Sequence, residues 1–177
     1  MSKVKVLDKA FETSITKDEI SNRIKELSKE INTAYADRNP LFLAILNGAF
    51  IFAADLYREI TIPSEISFVK MASYEGTAST GVVNELIGLN QDISGRHIII
   101  VEDIVDTGLT MKMMVDRLMT FHPASVSICA LLQKPSKLQT DIKVDYVAFE
   151  IPDRFVIGYG LDYDQQGRNL KEIFSII

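Results

Sequence analysis

The chain contains almost none of the residues that build disulfide frameworks and thiolate metal sites. Its 177 residues include one cysteine, Cys129, two histidines, His97 and His122, and no tryptophan. A single cysteine cannot form a disulfide or a thiolate zinc site within one chain. Cys129 lies in the apolar run 126–132, so we interpret it as a small buried hydrophobic residue. His97 opens a predicted strand and His122 ends a predicted helix, so neither is expected to bind a ligand.

Long hydrophobic runs and an excess of positive charge are also absent. No apolar stretch approaches the roughly 18 residues of a membrane-spanning helix, and the N-terminus lacks the apolar segment of a signal peptide. We therefore expect a cytoplasmic protein that does not bind membranes. The chain has 19 basic and 24 acidic side chains, a formal net charge of −5. This balance argues against a large cationic surface for nucleic acid.

Hydrophobic periodicity predicts strands that alternate with helices. A capping box at 16–19 precedes a helix with Ile20, Ile24, Leu27 and Ile31 on one face, which we expect to end near Arg38. The order of elements predicts an α/β fold, with a mostly parallel twisted sheet flanked by helices. The other predicted elements are strands at 41–46, 66–74, 82–87, 98–101, 126–134, 146–149 and 155–158, helices at 50–60 and 110–122, and a polar segment at 75–81.

The most informative segment is IIIVEDIVDTGLTM, residues 98–111. Its first four residues predict a strand buried on both faces, and the following helix places Met111, Met114 and Met119 on its apolar, core-facing side. Residues 106–110 form a tight strand-to-helix turn. Amides, threonine hydroxyls and the helix dipole at such a turn favour a bound phosphate, and Gly108 allows the backbone to approach it closely.

Three acidic residues stand where this phosphate is expected. Glu102, Asp103 and Asp106 would surround it with negative charge, so a cation or a polyol has to lie between them. Mg²⁺ can bridge carboxylates and phosphate oxygens, and carboxylates can accept hydrogen bonds from the vicinal hydroxyls of a sugar. The alternative is an acidic loop that only caps the helix, although capping does not require three acids.

The sequence VEDIVDTGLT resembles the motif of type I phosphoribosyltransferases that binds ribose 5′-phosphate and the diphosphate sugar. Residues 46–49 (LNGA) are similar to the pyrophosphate loop of that family, and residues 73–74 (Ser-Tyr) to its mobile catalytic loop. Lys134 and the stretch IPDRFVIGYGLDY, residues 151–163, resemble its purine-binding hood. Together these motifs resemble the hypoxanthine(-guanine) phosphoribosyltransferases over most of the chain.

The resemblance implies a magnesium-dependent enzyme of purine salvage. It would join hypoxanthine, or also guanine, to 5-phosphoribosyl 1-diphosphate, releasing pyrophosphate and the nucleoside 5′-monophosphate, IMP or GMP. The implied residues are Asp106, Ser73 and Tyr74 for catalysis; Glu102, Asp103, Asp106, Thr107, Gly108, Leu109 and Thr110 for the ribose and its 5′-phosphate; Leu46, Asn47, Gly48 and Arg168 for pyrophosphate; Lys134, Arg154, Phe155, Val156 and Asp162 for the purine; and Glu102, Asp103 and Asp162 for Mg²⁺.

The resemblance also implies individual roles. Asp106 would take the N7 proton of the purine, Lys134 would donate to its O6, and Phe155 would stack on the ring. Taken without the resemblance, Lys134 reads as a solvated surface charge and Phe155 as a core residue. A cis peptide is implied at residues 46–47. The family often has a basic residue at the position of Asn47 and a lysine at that of Ala72, so this chain lacks those charges.

We expect one domain over residues 1–177, with a small hood contributed by the N-terminal segment and about residues 134–177. By resemblance, the protein would form a homodimer or homotetramer, and the segment after Ser73 would close as a lid that excludes water. Three alternatives remain: a sister enzyme that prefers xanthine, a phosphoribosyltransferase-like regulator that binds nucleic acid, and an unrelated metal-dependent phosphate-binding domain. The regulator would need a basic face, and the last would leave Lys134 and Phe155 without a purpose.

Overall fold

Strands and helices alternate along most of the chain, as the periodicity predicts. The structure is a computed structural model that describes residues 2–73 and 84–177. In chain order its elements are β1 (Lys3–Val6), β2 (Lys9–Ile15), α1 (Lys17–Ala34), β3 (Leu41–Ile45), α2 (Phe50–Arg58), β4 (Glu65–Ser73), β5 (Asn84–Ile87), β6 (His97–Val105), α3 (Leu109–Met119), β7 (Ser125–Gln133), a 3₁₀ turn (Pro135–Lys137), β8 (Tyr146–Glu150), β9 (Val156–Ile157) and β10 (Ile173–Ile176).

The larger sheet has six strands in the order β5-β4-β3-β6-β7-β8. Strands β3, β4, β6, β7 and β8 run parallel, and β5 pairs antiparallel with β4 at the edge. Helices α1 and α2 pack on one face and α3 packs on the other. The predicted α/β class is therefore confirmed. Because the strands are parallel, the carboxyl ends of β3, β6 and β7 lie at one edge of the sheet.

Strand β3 shows how both faces of the sheet are filled. Phe42 and Ala44 pack in the core under α1 and α2, while the alternate residues Leu41, Leu43 and Ile45 pack in the core under α3. This is the period of two that a strand imposes on its side chains. Every residue of β3 is buried, as expected for a central strand of a parallel sheet.

The single cysteine and the methionines of α3 test the predicted core. Cys129 is fully buried in β7, as predicted, and burial raises the pKa of its thiol. Met111 and Met114 are buried, but Met119 is 50% exposed, so its predicted place in the core is wrong. Successive residues of a helix are rotated by about 100°, which carries Met119 away from the face occupied by its buried neighbour Leu118.

A smaller antiparallel sheet is built from both ends of the chain, in the order β1-β2-β10-β9. We call this sheet the hood; Phe11, Ile157 and Phe174 form its core. Strands β1, β2 and β10 are absent from the predicted elements, although the alternation of lysine and valine at 3–6 favours a strand. Strand β8 falls within the range of about 134–177 that we expected in the hood, but it pairs with β7 at the edge of the larger sheet, because its parallel ladder continues that sheet.

The end of helix α1 and the end of strand β6 differ from their predicted positions. Helix α1 ends at Ala34 and not near residue 38, because the backbone leaves the helical conformation at the C-cap Tyr35, where φ is −118° and ψ is 20°. The Tyr35 hydroxyl donates to Ser127 Oγ at 2.8 Å. Strand β6 continues to Val105, so the first two acids lie within the strand and the turn spans only residues 106–108. Among the described residues, no helix has the length and apolar composition needed to cross a membrane.

The capping box of α1 allows a test of local stability. Glu19 N donates to Thr16 Oγ1 at 3.3 Å, and Thr16 N donates to Glu19 Oε2 at 2.8 Å. Thr16→Ala removes the first bond and is expected to lower the free energy of unfolding by about 1 kcal/mol, as measured by urea denaturation. Thr33→Ala is the matched control, because alanine is favoured at exposed positions inside a helix. An equal loss in both variants would contradict the capping role.

Candidate active site

The carboxyl ends of three neighbouring strands bring the predicted site residues together. Gly48 follows β3, Asp103 and Asp106 lie at the end of β6, and Lys134 directly follows β7. Strand β6 lies between β3 and β7 in the sheet. Residues that are far apart in the sequence therefore meet at this edge, as the parallel arrangement predicts.

A cavity of about 240 Å³ adjoins the N-terminus of α3, and we call it the turn cavity. Thr107, Gly108 and Thr110 line one side of it, and Glu102 lines another. Gly108 is the N-cap of α3 with φ = 80°, a left-handed conformation that favours glycine. Because the N-cap is Gly108, Asp106 does not cap the helix, and the alternative of a purely capping acid is wrong. The first-turn amides of α3 can bind an anion here.

A second cavity of about 250 Å³ lies between the sheet edge and the hood, and we call it the hood cavity. It shares Ile104 and Asp106 with the turn cavity. Its other lining residues are Asp103, Lys134, Phe155, Val156, Leu161 and Asp162.

The side chains of Phe155 and Lys134 indicate which kind of ligand fits the hood cavity. Phe155 is 44% exposed, so the interpretation of this residue as a core phenylalanine is wrong. The ring of Tyr163 supports it edge-on, at 5.8 Å between centroids. Lys134 is only 6% exposed, which rules out a solvated surface charge. A supported aromatic ring beside a buried cation suits a planar ligand that carries a polar oxygen.

Lys134 is buried, and it lies beside two carboxylates and a second lysine that remain partly exposed. Its Nζ lies 3.1 Å from Asp153 Oδ1 and 3.5 Å from Asp106 Oδ2. Lys137 Nζ lies 3.3 Å from Asp106 Oδ1 and 3.5 Å from Asp153 Oδ1. The hydrogen bond to Asp106 raises the pKa of Lys137, and the hydrogen bond from Lys134 lowers the pKa of Asp153.

Lys137 and Asp153 are absent from the predicted site residues. In the sequence, Lys137 stands three residues after Lys134, and Asp153 stands directly before Arg154. Charged residues at such positions usually belong to the solvated surface, so composition and spacing provide no signal for them. Only the folding of residues 134–137 and 151–155 against the same turn shows that they belong to the site.

The predicted pyrophosphate loop is held by backbone contacts. The Leu46–Asn47 peptide is cis, as the resemblance implies. A Cβ added at Gly48 would overlap the carboxylate of Asp103, and one added at Gly160 would overlap the carbonyl oxygen of Gly48. At Gly160, two backbone segments therefore approach more closely than a residue with a side chain allows, and at Gly48 the absence of a side chain leaves room for the Asp103 carboxylate.

Arg168 and Asp162 are joined to this loop through Gly160. Arg168 Nη1 donates to Gly160 O at 2.8 Å, and Arg168 Nη2 lies 2.8 Å from Asp162 Oδ1. Asp162 Oδ2 also accepts a hydrogen bond from Gln165 N at 2.8 Å. The predicted pyrophosphate residue Arg168 is thus placed next to the loop at 46–48, with its charge shared by Asp162.

The three acids predicted to bind Mg²⁺ do not gather in one place. Glu102 lines the turn cavity, whereas Asp103 and Asp162 line the hood cavity. Within residues 2–73 and 84–177, no three His, Cys, Asp or Glu side chains form a group that could hold a metal ion. Burial, with Asp103 beside it, raises the pKa of Glu102 well above the usual range of a carboxyl group.

The remaining predicted site residues lie outside the two cavities or outside the described part of the chain. Arg154 is exposed and lines a separate cavity with Ser14 and Phe149, so the structure does not bring it to the hood cavity. The side chain of Leu109 is exposed, so its contribution is limited to its amide. Ser73 ends β4, but its side chain, Tyr74 and the predicted lid at 75–81 lie outside the described residues.

Comparison with known proteins agrees with this geometry. Residues 13–164 match the phosphoribosyl transferase domain family. The chain is 43% identical over 169 residues to the hypoxanthine-guanine phosphoribosyltransferase of Mycobacterium avium, which spans 92% of this chain and 83% of that protein. It is 41% identical over 167 residues to the hypoxanthine phosphoribosyltransferase of Haemophilus influenzae, covering 92% of this chain and 93% of that one.

A solved structure extends this likeness to the fold. The crystal structure of a hypoxanthine-guanine phosphoribosyltransferase from Bacillus anthracis matches with a TM-score of 0.84 at 34% identity, covering 94% of this chain and 96% of that one. Sequence and fold thus agree over nearly the whole length of both proteins. This chain therefore belongs to the hypoxanthine(-guanine) phosphoribosyltransferases, within the phosphoribosyltransferase family.

Proposed function

We propose that this protein transfers the phosphoribosyl group of 5-phosphoribosyl 1-diphosphate to hypoxanthine and guanine, giving IMP or GMP and pyrophosphate. The observation that carries the proposal is that the turn cavity and the hood cavity meet at Asp106. A phosphate site and a base site joined at one carboxylate fit two substrates that react between them. The named relatives support neither the xanthine-preferring enzyme nor the nucleic-acid-binding regulator.

In this proposal, the turn cavity binds the 5′-phosphate and the ribose. The first-turn amides of α3 and the hydroxyls of Thr107 and Thr110 donate to the phosphate oxygens. Glu102 lines the same cavity, and its raised pKa favours a protonated carboxyl, which can both donate to and accept from the ribose hydroxyls. A neutral acid there also avoids repulsion of the phosphate.

The hood cavity binds the purine. Phe155 stacks on the ring, Lys134 donates to the 6-oxo group, and the backbone of Val156 borders the base edge. N9 attacks the anomeric carbon of the ribose while pyrophosphate leaves, and the N7 proton passes to Asp106. Loss of that proton restores a neutral purine in the product, so a carboxylate at the junction of the two cavities assists the reaction.

The pyrophosphate is held by the loop at 46–48 and by Arg168. Asn47 brings an amide where the family often has a charge, so Arg168 is the cation closest to this loop among the proposed contacts. Asp103 and Asp162 provide carboxylate oxygens, and Mg²⁺ commonly takes one or two of these together with phosphate oxygens and water. We propose that they share Mg²⁺ with the substrate, while Glu102 faces the ribose. Bound Mg²⁺ would neutralise charge on the leaving pyrophosphate.

Other expectations from the sequence stay predictions. These are a single domain over residues 1–177, a lid formed by Ser73, Tyr74 and residues 75–81, a homodimer or homotetramer, and a cytoplasmic location. Phe50 opens α2 and is 43% exposed, which is compatible with a subunit contact along that helix.

The proposed reaction is tested with one spectrophotometric assay. The purified protein is mixed with 5-phosphoribosyl 1-diphosphate, Mg²⁺ and, in separate reactions, hypoxanthine, guanine, xanthine or adenine. We expect turnover with hypoxanthine and guanine, because Lys134 can donate to the 6-oxo group of both, and none with adenine, whose 6-amino group is itself a donor. Excess EDTA is expected to stop turnover. Absence of transfer to either 6-oxopurine would disprove the proposal.

The protonation state of the Glu102 carboxyl group is tested through the pH dependence of protein stability. The folded protein keeps the Glu102 proton to higher pH than the unfolded chain, so stability falls as pH rises above the unfolded pKa of about 4.3. Glu102→Gln cannot ionise. In metal-free buffer, its melting temperature minus that of the parent protein is therefore expected to increase as the pH is raised from about 5 to about 8. Glu150→Gln, at an exposed position, is the control. A difference independent of pH would contradict the proposed buried acid.

The role of Asp106 is tested with an isosteric amide. Asp106→Asn keeps the size of the side chain but loses its negative charge and one acceptor oxygen, and it cannot accept the N7 proton, so kcat is expected to fall by about 10²- to 10⁴-fold. The Kd of the diphosphate sugar should change little. The variant also leaves Lys134 with Asp153 alone, so its melting temperature is recorded. Asp116→Asn, on the exposed face of α3, is the control. Near-normal turnover would rule out proton transfer by Asp106.

A further inference from the structure

Four charged side chains beside the hood cavity, Asp106, Lys134, Lys137 and Asp153, form a closed ring of alternating charge, which we call the ionic ring. Each cation lies close to both anions, and each anion lies close to both cations. The distances are 3.5 Å for Lys134–Asp106, 3.3 Å for Asp106–Lys137, 3.5 Å for Lys137–Asp153 and 3.1 Å for Asp153–Lys134.

Only half of the ionic ring faces the hood cavity. Asp106 and Lys134 line that cavity, whereas Lys137 and Asp153 do not. Lys137 approaches both carboxylate oxygens of Asp106, at 3.3 Å from Oδ1 and 3.4 Å from Oδ2. Asp153 makes its shortest contact with Lys134. The two outer residues therefore touch the two groups proposed to contact the base, without contacting the base themselves.

The backbone fixes the place of Lys137 in the ionic ring. Lys137 ends the 3₁₀ turn, and its amide donates to Lys134 O at 3.0 Å. Two residues later, Gln139 N donates to Thr107 O at 2.9 Å, which ties this segment to the turn after β6. Because the backbone of this short segment is held at both places, Lys137 loses less conformational entropy on forming its ion pairs than a lysine on a flexible surface segment would.

The 6-oxo group of a base would complete the set of acceptors around Lys134. An ammonium has three N–H donors, and Asp106 and Asp153 accept two of them, so the third is available to the 6-oxo group. Asp153 then helps to set the direction of that third donor, while Lys137 gives Asp106 a second cation. Each base-contacting group thus has a partner of opposite charge that does not line the cavity.

We propose that Lys137 and Asp153 are positioning residues of the transfer reaction: Lys137 holds the Asp106 carboxylate for the base proton, and Asp153 holds the Lys134 ammonium for the 6-oxo group. This inference rests on the proposed function. It separates the two outer residues by their effects, because Asp106 acts during the reaction and Lys134 acts in binding of the base.

The first test replaces Lys137. Lys137→Met keeps an unbranched side chain but removes the charge, and it is expected to lower kcat with hypoxanthine by roughly 10- to 100-fold, with little change in either KM. Lys137→Arg restores a cation and should recover most of kcat. Lys143→Met is the matched control, since Lys143 is 84% exposed and pairs with Asp145 away from both cavities. Its kcat should equal that of the parent protein.

The second test replaces Asp153. Asp153→Asn removes the anion beside Lys134 and is expected to raise the KM for hypoxanthine by about 10-fold, which is the effect of losing one charge-assisted hydrogen bond. Its kcat at saturating base should change much less. Lys137→Met is therefore expected to change mainly kcat, and Asp153→Asn mainly the KM for hypoxanthine. A purely structural role would instead lower the melting temperature and the active fraction in both variants.

The outcomes separate this inference from the proposed function. A parent protein without transfer activity disproves both. With an active parent protein, unchanged kcat in Lys137→Met, failure of Lys137→Arg to recover activity, or an equal loss in Lys143→Met overturns the inference alone. If Lys137→Met does not fold, as judged by circular dichroism, the KM of Asp153→Asn and the kcat of Lys137→Arg still decide it. An unchanged KM in Asp153→Asn also counts against it.

Discussion

The site depends on close packing at two glycines. The backbone of Gly48, in the loop after β3, lies against the side-chain carboxylate of Asp103 in β6, and the backbone of Gly160, in the segment after β9, lies against the carbonyl oxygen of Gly48. A Cβ at Gly160 would push two backbone segments apart, and a Cβ at Gly48 would displace the Asp103 carboxylate. Because three parts of the chain meet with no space between them, the strand edge and the hood keep a fixed relation. The cavity between them can then present groups from both to one ligand.

Charge is distributed so that an acidic chain can bind anionic substrates. Three carboxylates line the hood cavity, those of Asp103, Asp106 and Asp162, and two of them have a cation nearby. Asp162 is paired with Arg168, and Asp106 is paired with Lys134 and Lys137. Burial favours the neutral form of Glu102. Local pairing thus reduces the negative charge that the site presents to a phosphate.

Much of the framework follows from local patterns. Strand β3, helix α1 and the turn before α3 each carry a periodicity or a capping signal within a few residues, so their existence and order can be predicted. The strands of the hood are different. They are short, and their burial depends on pairing between residues near the two ends of the chain, such as Thr13 with Phe174. Periodicity reports a buried face, but it does not identify the partner that buries it.

The sequence by itself determined the fold class, the tight turn before α3 and the set of acids and aromatic residues that line the two cavities. Only the tertiary structure decided which of these meet. It buried Lys134, exposed the ring of Phe155, separated Glu102 from Asp162, and paired Lys137 with Asp106 and Asp153 with Lys134. These arrangements depend on contacts between segments that are distant in the sequence, such as Asp106 and Lys134, which are 28 residues apart. Charged side chains carry no local pattern that distinguishes a solvated position from a paired, buried one.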